Sequence, residues 1–72
     1  MKDKNIQELI NLYHSGKFDI LEKKIGKLIK EKSDNFILYN IFGAVLAHKG
    51  NLKEAANNYR KSIKIENYKE RY

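Results

Sequence analysis

Two helical segments in the middle of this 72-residue chain decide its fold, and they read Tyr39-x-x-Phe42-Gly43-x-x-Leu46 and then Ala55-x-x-x-Tyr59. Residues spaced by three and four positions lie on the same face of an α-helix. The first segment therefore places bulky side chains around a small residue, and the second places a small residue one turn before a bulky one. Small and bulky residues that face one another let two helices interdigitate closely. This pattern predicts two helices packed as a hairpin.

A weaker copy of the same pattern occurs 34 residues earlier. Identical residues at this offset include the glycine that follows a helix in each half. The identities are Leu12 with Leu46, His14 with His48, Gly16 with Gly50, Lys27 with Lys61, Ile29 with Ile63, and Lys30 with Lys64. A period of 34 residues built from helix–turn–helix units is a signature of helical repeat proteins. The sequence thus predicts an all-α fold made of tandem helical hairpins.

Apolar spacing predicts four helices, over about residues 3–14, 18–32, 35–49 and 52–66. Gly16 and Gly50 are predicted to end the first and third helices, because glycine readily adopts the left-handed conformation found just after many helices. Asn35 belongs to a polar cluster suited to capping the third helix. Residues 67–72 are predicted to begin a further helix or to form a tail. Since the connections are short, neighbouring helices should be antiparallel.

The second hairpin resembles the tetratricopeptide repeat, whose pattern is Trp-x2-Leu-Gly-x2-Tyr, then Ala-x3-Phe, then Pro. The matching residues are Tyr39, Phe42, Gly43, Leu46, Ala55 and Tyr59, with Ser62 at a small position and Asn67 near the proline position. The resemblance is strong over residues 35–66 and fair over 2–34, where Asn5, Glu8, Leu9 and Leu21 depart from the pattern. It implies a single domain over residues 1–72 with a right-handed superhelical arrangement. It also implies a protein–protein interaction scaffold rather than an enzyme.

The resemblance implies where a partner binds, because the first helix of each tetratricopeptide hairpin lines a concave groove that takes a peptide. The corresponding residues are Ile6, Ile10, Tyr13, Ile37, Asn40, Ala44 and Ala47. Asn40 is the polar member, and its amide can both donate to and accept from a peptide backbone. The alternative is that the third helix is simply central, with neighbours on both apolar faces, and that Asn40 is an ordinary exposed residue.

The far side of the fourth helix is predicted to be an uncovered apolar surface. Its residues are Tyr59 and Ile63, with Tyr68 and Tyr72 beyond them. Repeat arrays normally bury such a surface against another unit, and an exposed apolar patch marks an interface. The prediction is a homo-oligomer formed through these residues. The alternative is a non-catalytic fragment of a larger repeat-bearing glycosyltransferase or sulfotransferase.

The composition limits the other function classes. The chain has no cysteine and two histidines, so it contains neither a disulfide framework nor a thiolate metal site. His14 and His48 are not predicted to bind a metal, because a zinc site normally needs four ligands around one ion. No apolar run reaches the length of a signal-peptide core or a membrane span. We expect a cytoplasmic protein with no cofactor, no metal and no membrane contact.

The net charge of +6, from 15 basic and 9 acidic side chains, favours anionic partners. Many basic residues fall on the second helix of each hairpin, namely Lys23, Lys24, Lys27, Lys30, Lys53, Arg60, Lys61 and Lys64. A basic helix face is commonly just solvated, and no aromatic residues interleave with these lysines as in a nucleic-acid motif. A protein or peptide is therefore the expected partner. A small basic protein that binds nucleic acid or acidic partners is the alternative.

Overall fold

The computed structural model describes residues 2–31 and 35–70, with side chains over residues 6–31 and 35–67. Its helices are α1 (Lys2–His14), α2 (Phe18–Glu31), α3 (Phe36–His48) and α4 (Leu52–Glu70). Across the described residues the chain is all-α, which confirms the predicted fold class. The helices pair as two hairpins, α1 with α2 and α3 with α4.

The helix boundaries follow local signals in the sequence. The side-chain oxygen of Asn35 accepts a hydrogen bond from the Ile37 N–H at 3.0 Å and so caps the start of α3. Gly16 and Gly50 have φ of 75° and 85°, the left-handed conformation that ends a helix. The fourth helix runs beyond its predicted end near Glu66. Residues 67–70 contain neither glycine nor proline, and they continue α4 rather than starting a further helix.

The two turns that close the hairpins make the same hydrogen bonds at positions 34 residues apart. In each turn the residue after the glycine donates its N–H five residues back, and the glycine donates three residues back, which is the Schellman motif. The equivalent pairs are Lys17 to Leu12 (3.1 Å) with Asn51 to Leu46 (2.9 Å), and Gly16 to Tyr13 (3.1 Å) with Gly50 to Ala47 (3.0 Å). The 34-residue period of the sequence therefore has a matching backbone geometry at both turns.

The central element is α3, which contacts each of the other helices, whereas α4 contacts only α3 within the described residues. Leu9, Leu21, Ile25, Leu38 and Val45 form the buried core, and they come from α1, α2 and α3. The first hairpin thus covers one side of α3 with aliphatic side chains. This arrangement leaves α4 on the other side of α3, away from the main core.

The contact between α4 and α3 depends on small and polar residues. Ala55 is 3% exposed, and Asn58 and Ser62 are buried beside it. The Ser62 hydroxyl donates to the Phe36 carbonyl at 2.9 Å, which links the two helices, and the Asn58 amide donates to the Glu54 carbonyl at 2.9 Å. Because both buried polar side chains have partners, their burial carries little desolvation cost.

Candidate functional site

Gly43 of α3 and Tyr59 of α4 pack directly against each other. A β-carbon placed on Gly43 would lie 2.9 Å from Cε1 and 3.0 Å from Cδ1 of the Tyr59 ring. The ring therefore occupies the space that a side chain at position 43 would need. Ala55, which the sequence pattern placed opposite Gly43, is buried one turn earlier in α4. The absence of a side chain at Gly43 lets Tyr59 lie across the backbone of α3.

An open concavity of about 390 Å³ lies between α1, α3 and α4. We call it the concave groove, and its lining residues are Ile10, Tyr13, His14, Ile37, Asn40, Ile41, Ala44 and Tyr59. Because α3 lies between α1 and α4, α3 forms the floor and the other two helices form the edges. Three helices thus combine to make one surface that none of them presents alone.

The groove is mainly apolar and is accessible to a ligand. Ile37 is 37% exposed and Tyr59 is 36% exposed, which is high for large apolar side chains. Asn40 is exposed between them, and among the described residues its side chain takes part in no hydrogen bond. An apolar concavity with a small number of available polar groups is the usual form of a binding site.

Most of the residues that the sequence assigned to a groove lie together in the structure. Ile10, Tyr13, Ile37, Asn40 and Ala44 all line the concavity. The other two assigned residues do not line it: Ile6 packs against the buried core, and Ala47 is half-buried elsewhere on α3.

Sequence reasoning missed three lining residues, His14, Ile41 and Tyr59. His14 follows Ile10 by four residues and Ile41 follows Ile37 by four, so helical spacing could have identified both. Tyr59 comes from a different helix. Its position depends on the contact with Gly43, and helical spacing carries no information about it.

Aromatic side chains hold one end of the groove in place. The Tyr13 ring lies with its centroid 5.6 Å from that of Phe18 and 5.4 Å from that of His48, both in edge-to-face geometry. Phe18 and His48 stack on each other with centroids 4.7 Å apart. Such contacts fix ring orientations beyond what apolar burial alone provides. Tyr13 is therefore positioned at the groove by residues of α2 and α3.

The two histidines contact aromatic rings. The centroid of the His14 ring lies 6.0 Å from that of Tyr13, and the His48 ring contacts both Tyr13 and Phe18. Within residues 6–31 and 35–67, no three His, Asp or Glu side chains come together in a way that could hold a metal ion. In the same part of the chain, no helix combines the length and apolar character that crossing a membrane requires.

An ion-pair network lies outside the groove and connects α2 to the end of α3. The Lys49 ammonium donates to Asp19 at 2.6 Å and to Glu22 at 2.7 Å. The hydrogen bond from Lys49, and then its charge, lower the pKa of the Asp19 carboxyl. The hydrogen bonds to Asp19 and Glu22, and then their charges, raise the pKa of Lys49. The network links the two hairpins at their polar surface.

Of the residues predicted to form an oligomer interface, one lines the groove and one lies outside it on α4. Tyr59 lines the groove, whereas Ile63 is 57% exposed and lies among Arg60, Lys61, Lys64 and Asn67 on the outer side of α4. Tyr72 and the side chain of Tyr68 lie outside the described residues. Tyr59 therefore borders the groove, and Ile63, one turn further along α4, lies in a more exposed region that also carries basic residues.

Comparison of the chain with protein-family models, with curated proteins and with solved structures finds no match. The function is therefore inferred from the groove and from the surface of α4.

Proposed function

We propose that this chain is a non-catalytic protein-interaction module built from two tetratricopeptide-like hairpins, and that it binds a segment of a partner protein in the concave groove. The observation that carries the proposal is the groove itself, in which apolar side chains from α1, α3 and α4 surround the exposed amide of Asn40.

The repeat interpretation is supported by two features of the backbone. The turns at Gly16 and Gly50 have equivalent hydrogen bonds 34 residues apart. In the second hairpin, Gly43 and Tyr59 occupy the glycine and aromatic positions of the tetratricopeptide pattern, and they are in direct contact. A repeat of this kind places the first helix of each hairpin, here α1 and α3, on the concave side.

The apolar lining selects for apolar side chains of the partner. Ile37 and Ile41 lie one turn apart on α3 and Ile10 lies on α1, so an extended segment can bury alternate side chains against them. Burial of such groups is favourable by roughly 25 cal/mol for each Å² removed from water. Apolar burial provides affinity for the partner segment, but it distinguishes poorly between one apolar sequence and another.

Asn40 provides the polar contact. An extended peptide exposes backbone N–H and carbonyl groups that have no internal partner, and an amide side chain can satisfy one of each. Because Asn40 is exposed and has no side-chain partner among the described residues, it needs no rearrangement to do so. We therefore assign Asn40 the role of orienting the bound backbone.

The charge of the groove indicates the class of peptide. The described residues that line it include no Lys, Arg, Asp or Glu. The ligand is therefore an apolar or neutral segment, and its affinity should change little with salt, unlike the affinity of a ligand held by ion pairs.

The experiment is to select binders from a random peptide display library with the full chain and then to measure their affinities for variants. Ala44→Arg fills the floor of the groove with a long side chain, and Asn40→Ala removes the amide. Ile20→Arg is the matched control, because Ile20 is 50% exposed on α2 and does not line the groove.

We expect Ala44→Arg to weaken binding by at least about tenfold, which corresponds to about 1.4 kcal/mol, and Asn40→Ala to weaken it by a smaller factor. The control variant should bind as the original chain does. Selected peptides that bind Ala44→Arg with unchanged affinity would contradict the proposal, as would a selection that yields no binder.

A further inference from the structure

A stripe of apolar residues runs along the outer side of α4. It consists of Leu52, Ala56, Tyr59 and Ile63, spaced by four, three and four residues. That spacing keeps them on one face of the helix. Leu52 is 68% exposed and Ile63 is 57% exposed, and with Tyr59 they account for three of the five exposed large apolar side chains among residues 6–31 and 35–67. We call these four residues the outer stripe.

The equivalent stripe of α2, 34 residues earlier, is covered by a helix. Its residues are Phe18, Glu22, Ile25 and Ile29. Phe18 stacks on His48 of α3 and Glu22 pairs with Lys49, while Ile25 is fully buried in the core that includes Leu38 and Val45. The first hairpin therefore shows what this face of the repeat does: it accepts a helix. Within the described residues, the only helix that contacts α4 is α3, which covers Ala55, Ser62 and one side of the Tyr59 ring and leaves Leu52 and Ile63 exposed.

The charges beside the two stripes differ. In the first hairpin, Asp19 and Glu22 of α2 hold Lys49. The equivalent residues of α4 are Lys53 and Ala56, so the acidic groups have been lost and a basic one introduced. A helix with lysine at the contacting position suits α2, and a helix with a carboxylate there suits α4.

The same edge of α4 carries further positive charge. Arg60 replaces Gly26 of the first hairpin, and Lys64 matches Lys30. Lys53, Arg60 and Lys64 each follow a residue of the outer stripe by one position, about 100° around the helix. We call these three residues the basic flank of the outer stripe. All three are exposed, and none forms an ion pair within the described part of the chain.

The two carboxylates of α4 whose side chains the structure describes, Glu54 and Glu66, do not neutralise this flank. Glu54 lies two positions after Leu52, about 200° around the helix and so on the opposite side. Glu66 lies beyond Ile63 at the far end of the stripe, on the edge away from the flank. Within residues 6–31 and 35–67, the flank therefore presents a row of cations without paired carboxylates beside exposed apolar residues.

We propose that the outer stripe and its basic flank bind an acidic amphipathic helix of a partner protein. Apolar residues of that helix pack on Leu52, Tyr59 and Ile63, and its carboxylates face Lys53, Arg60 and Lys64. The proposal concerns a second surface, on the other side of Tyr59 from the groove, and it holds whether or not the groove binds a peptide.

A second copy of this chain is a poorer fit to the stripe. In head-to-tail stacking, α1 of the second copy takes the place that α3 takes on α2. Gln7 and Asn11 of α1 then stand where α3 has Ile41 and Val45. Both are exposed and hydrogen-bonded to each other at 3.2 Å, so they present a polar surface. Packing α4 against α4 instead brings two basic flanks together, which is unfavourable.

Nucleic acid is also a poorer fit. Phosphates would pair with the flank, but a phosphate backbone offers nothing apolar to cover Leu52 and Ile63. A helix with both acidic and apolar residues satisfies both features at once.

The test uses a designed helical peptide, about 18 residues long and stapled so that it is helical in isolation. It carries leucines at the spacing of the outer stripe and glutamates along one edge. A control peptide has lysines in place of the glutamates. Binding to the full chain is measured by fluorescence anisotropy, and sedimentation velocity reports whether the free chain is monomeric.

The decisive variant is the triple charge reversal Lys53→Glu, Arg60→Glu and Lys64→Glu. Its matched control reverses the same number of charges on exposed residues elsewhere, as Lys17→Glu, Lys23→Glu and Lys27→Glu. All six side chains are exposed, so both variants should fold, and circular dichroism checks this.

We expect the glutamate peptide to bind at least about tenfold more tightly than the lysine peptide, and the flank reversal to invert this preference. The control reversal should retain the preference, and Ile63→Ser should weaken binding of the glutamate peptide. Ala44→Arg, in the groove, should leave it unchanged.

Three results would overturn the proposal. Equal losses in the two triple variants would show that the peptide responds only to net charge. A dimer that Ile63→Ser dissociates would show that a second copy occupies the stripe. Displacement of the glutamate peptide by an equimolar duplex oligonucleotide, in a manner abolished by the flank reversal, would show a nucleic-acid surface.

Discussion

Tyr59 reaches the concave groove because residue 43 has no side chain. The ring lies 2.9 Å from the place that a β-carbon of residue 43 would occupy. One small residue on α3 therefore sets the position of a large residue on α4. That large residue borders both proposed binding surfaces, so the Gly43–Tyr59 contact connects the fold to the function.

The first prediction concerns this contact. Gly43→Leu should lower the free energy of unfolding by about 1–3 kcal/mol, because the added side chain and the Tyr59 ring compete for the same space. In the Tyr59→Ala background the same change should cost at least about 1 kcal/mol less, since the competing ring is gone. Chemical denaturation of the four proteins measures this coupling, and strictly additive effects would contradict the direct contact.

The second prediction concerns Gly26, which like Gly43 lies inside a helix. Unlike Gly43, it has no neighbouring side chain packed against it. A β-carbon there meets no atom within 4 Å, and its φ is not among the positive values. Gly26→Ala should therefore raise the free energy of unfolding by about 0.5–1 kcal/mol, because glycine loses more conformational freedom in a helix than alanine does. A rise in thermal midpoint, measured by circular dichroism, is the expected result. A fall would show that the surroundings of Gly26 are more crowded than described.

At the scale of the helices, the sequence pattern predicted a helix boundary correctly wherever a specific residue marks that boundary. Gly16, Gly50 and Asn35 each have a conformational or capping role that their chemistry makes recognisable. The end of α4 has no such residue, and the helix continues to Glu70. The tetratricopeptide resemblance grouped Ile10, Ile37 and Asn40, and these three residues line one concavity.

What the sequence did not reveal is the geometry between helices. Ile6 shares a helical face of α1 with Ile10 and Tyr13, yet it packs against the core without lining the groove. Tyr59 was assigned to the outer surface because it shares a face of α4 with Ile63. The structure places its ring against α3 and along the groove edge. Crossing positions of this kind depend on all four helices together, and no single segment determines them.

The third prediction concerns the ion pairs that connect α2 with the end of α3. Lys49→Met keeps most of the aliphatic stem but removes the ammonium that bonds to Asp19 and Glu22. The variant should be slightly less stable at neutral pH, because exposed ion pairs contribute little and Asp19 is 89% exposed.

The pH dependence of that difference follows from the pKa directions. The lowered pKa of Asp19 means that its contribution is present above the unfolded-state pKa and is lost as pH falls through the folded-state value. The raised pKa of Lys49 means that its contribution is present below the unfolded-state pKa and is lost as pH rises through the folded-state value. The stability difference should be flat near neutrality and shrink below about pH 4 and above about pH 10. A difference that persists undiminished at pH 3 would contradict the assigned network.

At the scale of the whole molecule, the two proposed surfaces have different chemistry. The concave groove is apolar with an amide, and the outer stripe is apolar with a row of cations. Their ligands should accordingly differ in salt dependence: groove binding changes little with ionic strength, and stripe binding weakens as salt screens the carboxylates. Both surfaces depend on α4 packing against α3, so loss of the hairpin contact should abolish both.

The central claim is that a partner segment lies in the concave groove, and the most direct measurement is intermolecular nuclear Overhauser contacts between a selected peptide and the full chain. Contacts are expected from the peptide to the methyl groups of Ile10, Ile37, Ile41 and Ala44. None is expected to Ile20, which is exposed on α2. Contacts confined to residues outside the groove lining, with the groove methyl signals unchanged on saturation, would contradict it.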